Sequence, residues 1–272
     1  MSLRSLRALH TSPGLYKAPR FVVTLTEAAK PPLEKSIPVT RPFGLDSPVL
    51  LNRKVTTSYS VGSLFSNERK EQRQKKLDHE IAHSPFYESK SFRNVNGKIF
   101  TPPVSWFKRD HSLYFPDFYG STLAGNTSLF DVLGPVNLVR VYSTVSGENC
   151  CNTWFGDYLH DYAKFKSDYP QAQIIDINIP QNWLKGFVIN LSKGHIRKTL
   201  SPERWDRYFV LPDHIFPFDI RQKLLCDNMC SGYVYVLDNE GKIRWATSGF
   251  ASDEEKALMY KCVRGLEKEA AQ

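Results

Sequence analysis

The chain predicts an α/β fold with a mixed sheet flanked by helices, and three observations carry that reading. Val136 to Val145 (VNLVRVYSTV) and Gln173 to Ile179 (QIIDINI) are apolar, β-branched runs on either side of a helical stripe, so together they form a βαβ unit with a parallel strand pair. Tyr233 to Asp238 (YVYVLD) and Lys242 to Thr247 (KIRWAT) are joined by Asn239-Glu240-Gly241 as an antiparallel hairpin. A last amphipathic helix opens with Ser252-Asp253-Glu254-Glu255, a capping box whose acids suit the positive helix end. The order β, α, β, helical insertion, β, β, α is that of the thioredoxin-like fold.

The elements follow in order, starting from an N-terminal extension. Residues 1–60 hold nine Lys or Arg against three acids, which is +6 of the net +8 of the 272-residue chain. From Met1 to Ala29 the first acid is Glu27, while Arg4, Arg7, Lys17 and Arg20 alternate with leucines and serines. An amphipathic, acid-poor, Arg- and Ser-containing start is the pattern of a mitochondrial presequence, which we place at residues 1–35. Pro31, Pro32, Pro38, Pro42 and Pro48 then break any helix, and Asn67 to Glu80 (NERKEQRQKKLDHE) reads as a solvated charged helix, so residues 36–90 are expected to be a linker with that helix.

Residues 91–272 are expected to form the thioredoxin-like domain. Phe92 to Pro103 contains the Asn96-Gly97 turn of a short hairpin, and Trp106 to Tyr119 is dense in aromatics. The first central strand ends in Ser146-Gly147-Glu148-Asn149, a turn composition. The following helix carries Trp154, Phe155, Tyr158, Leu159, Tyr162 and Phe165 on one stripe and closes at Pro170. Ser201-Pro202 starts a further helix, with Ser as N-cap and Pro at the first position.

Composition excludes several classes of function. No apolar run approaches the roughly 20 residues a membrane-spanning helix needs. With the basic head set aside the body is only +2 and has no basic stripe, so no nucleic-acid partner is expected. A nucleotide-binding turn is missing, because Ser146 to Cys151 has one glycine and an acid where phosphate would bind. No nucleophile elbow or helix-borne metal motif occurs, and no small-molecule substrate is expected.

Two thiol readings stay open. Cys150-Cys151 follows the first central strand, the place where a helix N-terminus generates thiolate in this fold. Adjacent cysteines, however, depart from C-x-x-C and join only through a strained ring, and Met229-Cys230-Ser231-Gly232 lacks the proline that faces the redox pair in such enzymes. Cys226 and Cys230 are spaced i, i+4 and would share a helix face, offering with Cys150, Cys151, His195 or His214 a thiolate-rich copper or zinc site. The default for all of them is small core residues, and we assign no catalytic residue, metal or cofactor.

Aromatics make up 13% of the chain, many in irregular segments, where they either pack loops onto the sheet or form an apolar patch for another protein. For the second case Trp205, Phe209, Phe216 and Phe218 are the candidate partner-binding residues, because they lie in the long insertion before the last hairpin, near the substrate groove of this fold.

Phe107-Lys108-Arg109-Asp110 through Tyr114-Phe115-Pro116-Asp117-Phe118-Tyr119-Gly120, with Thr122-Leu123, resembles the mitochondrial ATP synthase assembly factors of the ATP10 type. So do Tyr233 to Asp238, Gly241-Lys242-Ile243-Arg244-Trp245 and Ser248-Gly249. The resemblance covers about residues 80–270. It implies a non-catalytic, chaperone-like protein, peripheral on the matrix side of the mitochondrial inner membrane. It also implies that the protein associates with newly made subunit a (ATPase subunit 6) and helps it join the subunit c ring. No catalytic residues are defined for that family, so none is carried over.

Overall fold

The computed structural model describes residues 31–51, 85–180, 194–212 and 215–272. Residues 1–30 of the presequence expected at 1–35, and the charged helix expected at Asn67 to Glu80, lie outside them. In chain order the named elements begin with β1 (Ile37–Pro38), α1 (Pro85–Asn94), β2 (Phe100–Thr101), β3 (Tyr119–Thr122) and β4 (Asn126–Ser128). They continue with β5 (Val136–Tyr142), α2 (Val145–Phe155), α3 (Tyr162–Asp168), β6 (Ala172–Asn178) and β7 (Tyr208–Val210). The chain closes with α4 (Phe218–Lys223), β8 (Gly232–Asp238), β9 (Ile243–Ser248) and α5 (Asp253–Ala270).

A seven-stranded sheet runs in the order β4-β3-β7-β6-β5-β8-β9. Within it β5 pairs parallel with β6 from Val136 opposite Ala172 to Tyr142 opposite Asn178, and antiparallel with β8, which pairs antiparallel with β9. The order β6-β5-β8-β9, with the first pair parallel and the others antiparallel, is the thioredoxin-like core predicted from the element order. Alternation along β5 sends Val139 and Val141 into one apolar cluster and Val136, Leu138 and Tyr142 into the other. Helices α2, α3 and α5 cover the second face through Trp154, Phe165 and Met259, while α4 and the aromatic loops cover the first. Phe115 and Phe118 are fully buried there, packing the 106–119 segment onto the sheet.

Several elements differ from the sequence expectation. Residues 92–103 are not a hairpin: α1 runs to Asn94, and Asn96 and Gly97 take positive φ values of 48° and 74° to end it, with the Gly97 N–H donating to the Phe92 carbonyl. The 154–165 stripe is not one helix either. Gly156 (φ 52°) ends α2, a 3-10 turn follows, and Asp161 caps α3 by accepting from the Lys164 N–H. The turn and the fresh cap return the same apolar face to the sheet, so the periodicity survives the break. Ser201-Pro202 opens a six-residue 3-10 turn, and Ser201 makes no side-chain cap bond.

Part of the proline-rich stretch packs onto the body. Val39 and Leu45 are buried in the core, and β1 pairs with β2. At the C-terminus α5 carries the predicted capping box, Ser252 with Glu255, and buries Met259, Cys262, Val263 and Leu266.

Candidate functional site

In this fold thiol chemistry belongs at the first turn of the helix that follows the central strand, because unpaired backbone N–H groups there stabilise a thiolate. The sequence predicts Cys150-Cys151 at that place. Instead α2 begins at Val145, and Thr144 is its N-cap, its Oγ1 accepting from the Gly147 N–H at 3.1 Å. The cysteines therefore sit in the second turn, beyond the free N–H groups. Ser146 to Asn149, which has turn composition, is the start of the helix itself.

Burial silences the thiols further. Loss of solvent pushes Cys150 up to about 11 and Cys151 up to about 12, outweighing the opposite pull of Lys98 on the first and Arg140 on the second. At pH 7 Cys150 is therefore held as the thiol. The Cys151 Sγ–H faces the Tyr233 carbonyl at 3.5 Å, and all five cysteines are free thiols.

The Cys226 and Cys230 pairing on a helix face is also corrected. Leu224 is the C-cap of α4 and Leu225 turns the chain at φ 57°, so residues 224–229 are not helical. Cys226 is buried and raised to about 12 by desolvation, while Cys230 is half-buried. His195 is exposed on the helical turn 194–199, and His214 lies outside the described residues. Among the described residues no three His, Cys, Asp or Glu side chains converge as a metal site.

What fills this locus is the chain's own backbone and hydroxyls. The Ser146 hydroxyl donates to the Cys230 carbonyl at 2.8 Å and that of Thr144 to the Met229 carbonyl at 3.2 Å, clamping the 228–231 loop to the start of α2. Gly147 and Gly232 touch backbone to backbone; a Cβ on Gly232 would collide with the Gly147 carbonyl oxygen and the Cys151 sulfur. From outside, the Ser231 hydroxyl donates to the Gly97 carbonyl at 2.6 Å, the Asn228 side-chain amide to the Glu88 carbonyl at 3.0 Å, and the Met229 N–H to the Glu88 carboxyl at 3.3 Å. Helix α1 and the turn after it thus lie over the loop beside the expected redox position. The arrangement holds the loop, the start of α2 and α1 together.

The four aromatics expected as partner anchors do not form one surface. Phe209 and Phe216 are 0% and 1% exposed, and both pack edge-on against Phe118 in the core, so neither can reach a partner in this fold. Trp205 is half-buried in a satellite cluster with Leu123, Tyr208 and Val210, its indole N–H donating to the Leu200 carbonyl and Arg197 lying over its ring. Phe218 is half-buried at the start of α4. Since Tyr208 and Val210 alternate with Phe209 along β7, Trp205 and Phe209 serve opposite faces of the sheet.

A charged cluster that residue patterns did not single out binds the insertion to the sheet. Arg140 on β5 and Arg204 from the 202–207 turn each place a guanidinium nitrogen 2.5 Å from a different carboxylate oxygen of Asp176 on β6. All three are buried, Arg140 also donates to Asn152, and its guanidinium lies 5.4 Å from the Phe155 ring. Its signal in the sequence is a pair of opposite charges in the middle of two apolar strands, VNLVRVY and AQIIDIN.

The family profile and the related sequences agree on one family. Residues 23–266 match the profile described as ATP10 protein. The mitochondrial ATPase complex subunit ATP10 of Eremothecium gossypii is 35% identical over 85% of this chain and 85% of its own length. The protein of the same name from Saccharomyces cerevisiae is 29% identical over 91% and 93%. Among solved structures, a putative thiol:disulfide interchange protein DsbE from Chlorobium tepidum is 19% identical, with a TM-score of 0.39 over 57% of this chain and 96% of that one. The thioredoxin domain of a thiol-disulfide oxidoreductase from Bacteroides vulgatus is 18% identical, with a TM-score of 0.38 over 55% and 95%. The fold assignment itself rests on the strand order and pairing described above.

Proposed function

This chain belongs to the ATP10 protein family, and from that premise we propose that it is an assembly factor of the mitochondrial ATP synthase that acts by binding, without catalysis. The match along residues 23–266 carries the reading. The site supports it: the helix start where a thiolate would be generated carries Thr144, Val145 and Ser146, and the nearby cysteines are buried and protonated.

In this proposal the protein holds newly made subunit a and promotes its joining to the subunit c ring, working peripherally on the matrix face of the inner membrane. An unassembled membrane subunit exposes polar groups and helix faces that its final partners later cover, and a peripheral binder protects them until then. Residues 1–35 would direct the protein to the organelle. Peripheral attachment agrees with two observations. No helix among the described residues is long and apolar enough to cross a membrane. The stretch between Asp176 and Glu203 carries Lys185, Lys193, Arg197 and Lys198, with Trp183, Leu184 and Phe187, and no acid.

Cross-linking in intact mitochondria, followed by identification of what is captured, tests the proposal. Subunit a is the expected product. Capture of small redox carriers in its place would replace this reading with the thiol one.

A further inference from the structure

Over residues 87–94, helix α1 is held down largely by polar groups. Among residues 87–94, Glu88 and Ser91 are buried, Tyr87, Ser89 and Phe92 are half-buried, and Lys90, Arg93 and Asn94 are exposed. Ser91 accepts a hydrogen bond from the Leu33 N–H at 2.9 Å, and Phe92 meets the Phe250 ring at a centroid distance of 6.4 Å. The buried face over this span is thus a carboxyl and a hydroxyl, with no fully buried apolar side chain. Over this span docking rests more on these polar contacts than on an apolar face, the usual source of helical stability in proteins.

We propose that α1 is a pH-gated cover over the 228–231 loop, closed while the Glu88 carboxyl carries a proton and released when that proton passes to solvent. The geometry supports this in three ways. Glu88 is 9% exposed, and its carboxyl meets the Met229 N–H at 3.3 Å, a long hydrogen bond that only partly offsets the loss of water. A cavity of about 30 Å³ beside it, bounded by Leu33, Tyr87, Ser91, Ile99, Asp227 and Asn228, is large enough to admit the water through which the proton leaves. The groups facing the carboxyl are Tyr87 on α1, Asp227 and Cys230 on the loop, Tyr233 on β8 and Arg221 on α4. Burial raises Glu88 to about 7, with Asp227 adding to the rise and the Met229 N–H and Arg221 opposing it.

The sign follows from linkage. Glu88 is raised in the docked helix relative to its ordinary value of 4.5, so docking is fully supported below that value and weakens as pH rises through about 7. With those two values, the ratio of released to docked α1 rises about tenfold between pH 6 and 8. The gate operates whether or not the protein assembles ATP synthase, so the two readings fail separately.

Hydrogen exchange on the full chain reads the ratio directly, with amide rates of residues 89–94 corrected for the intrinsic pH dependence and α5 as the internal reference. Protection of α1 should fall about tenfold from pH 6 to 8 in the wild type and by less than about twofold in Glu88→Gln. Equal protection at both pH values, or an unchanged pH dependence in Glu88→Gln, overturns the proposal. If Glu88→Gln does not fold, carbon NMR of glutamate-labelled wild-type protein decides: the signal assigned to Glu88 should titrate near 7, and a Glu88 midpoint below about 5.5 overturns it.

Discussion

Two buried polar clusters in this domain behave in opposite ways. At Arg140, Asp176 and Arg204 one carboxylate is held by two guanidinium groups, joining β5, β6 and the 202–207 turn. At Glu88 a carboxyl is taken out of water with one long backbone hydrogen bond, Asp227 and Arg221 acting on it in opposite directions, beside a water-sized cavity. Matched charge locks the insertion to the sheet, whereas in the proposed gate burial of the Glu88 carboxyl, only partly offset, is what leaves α1 easier to lift. The difference teaches where the fold is rigid and where it can open.

The largest effect should come from breaking the matched cluster. Asp176→Asn keeps the shape but leaves two buried guanidinium groups without a counter-charge, and should cost about 3–5 kcal/mol in urea unfolding. A loss below about 1 kcal/mol would show that the cluster is not an anchor. Next comes the close contact beside the expected redox position. Gly232→Ala drives a methyl into the Gly147 carbonyl oxygen and should cost about 1–3 kcal/mol, read from the same unfolding curves.

A single charge change tests the Glu88 side. Asp227→Asn takes away an acid that raises Glu88, so the pH at which α1 loses protection should move downward, as followed by hydrogen exchange. The smallest effect belongs to an exposed pair used as control. Arg109 and Glu240 meet at 2.7 Å with both side chains nearly half exposed, and Glu240→Gln should change stability by less than about 1 kcal/mol.

Much of this architecture is legible in sequence because local and tertiary signals agree. The β5 and β6 runs, the β8–β9 hairpin and the capped α5 each obey one strong rule, and each starts within one residue of its expected position. The break at Gly156 is hidden because the aromatic stripe resumes in phase after it. The site is harder to read. Phe209 looks like an exposed loop aromatic beside Arg204, Asp206 and Arg207, yet the three residues of β7 slip between β3 and β6 and bury it. Glu88 gives no periodic signal at all, since its burial depends on a loop 140 positions away. The start of α2 is obscured because Ser146-Gly147-Glu148-Asn149 has turn composition, while Thr144 supplies the cap just before it.

The central claim is that the protein works by binding, with the thiols as packing groups. It is tested most directly by replacing the cellular copy with the double variant Cys150→Ala, Cys151→Ala and measuring the amount of assembled ATP synthase, alongside the melting temperature of the purified variant. Assembly at the wild-type level, with a fold that still melts cooperatively, is expected. Loss of assembly in a variant that remains folded would contradict it and return the cysteines to the centre of the function.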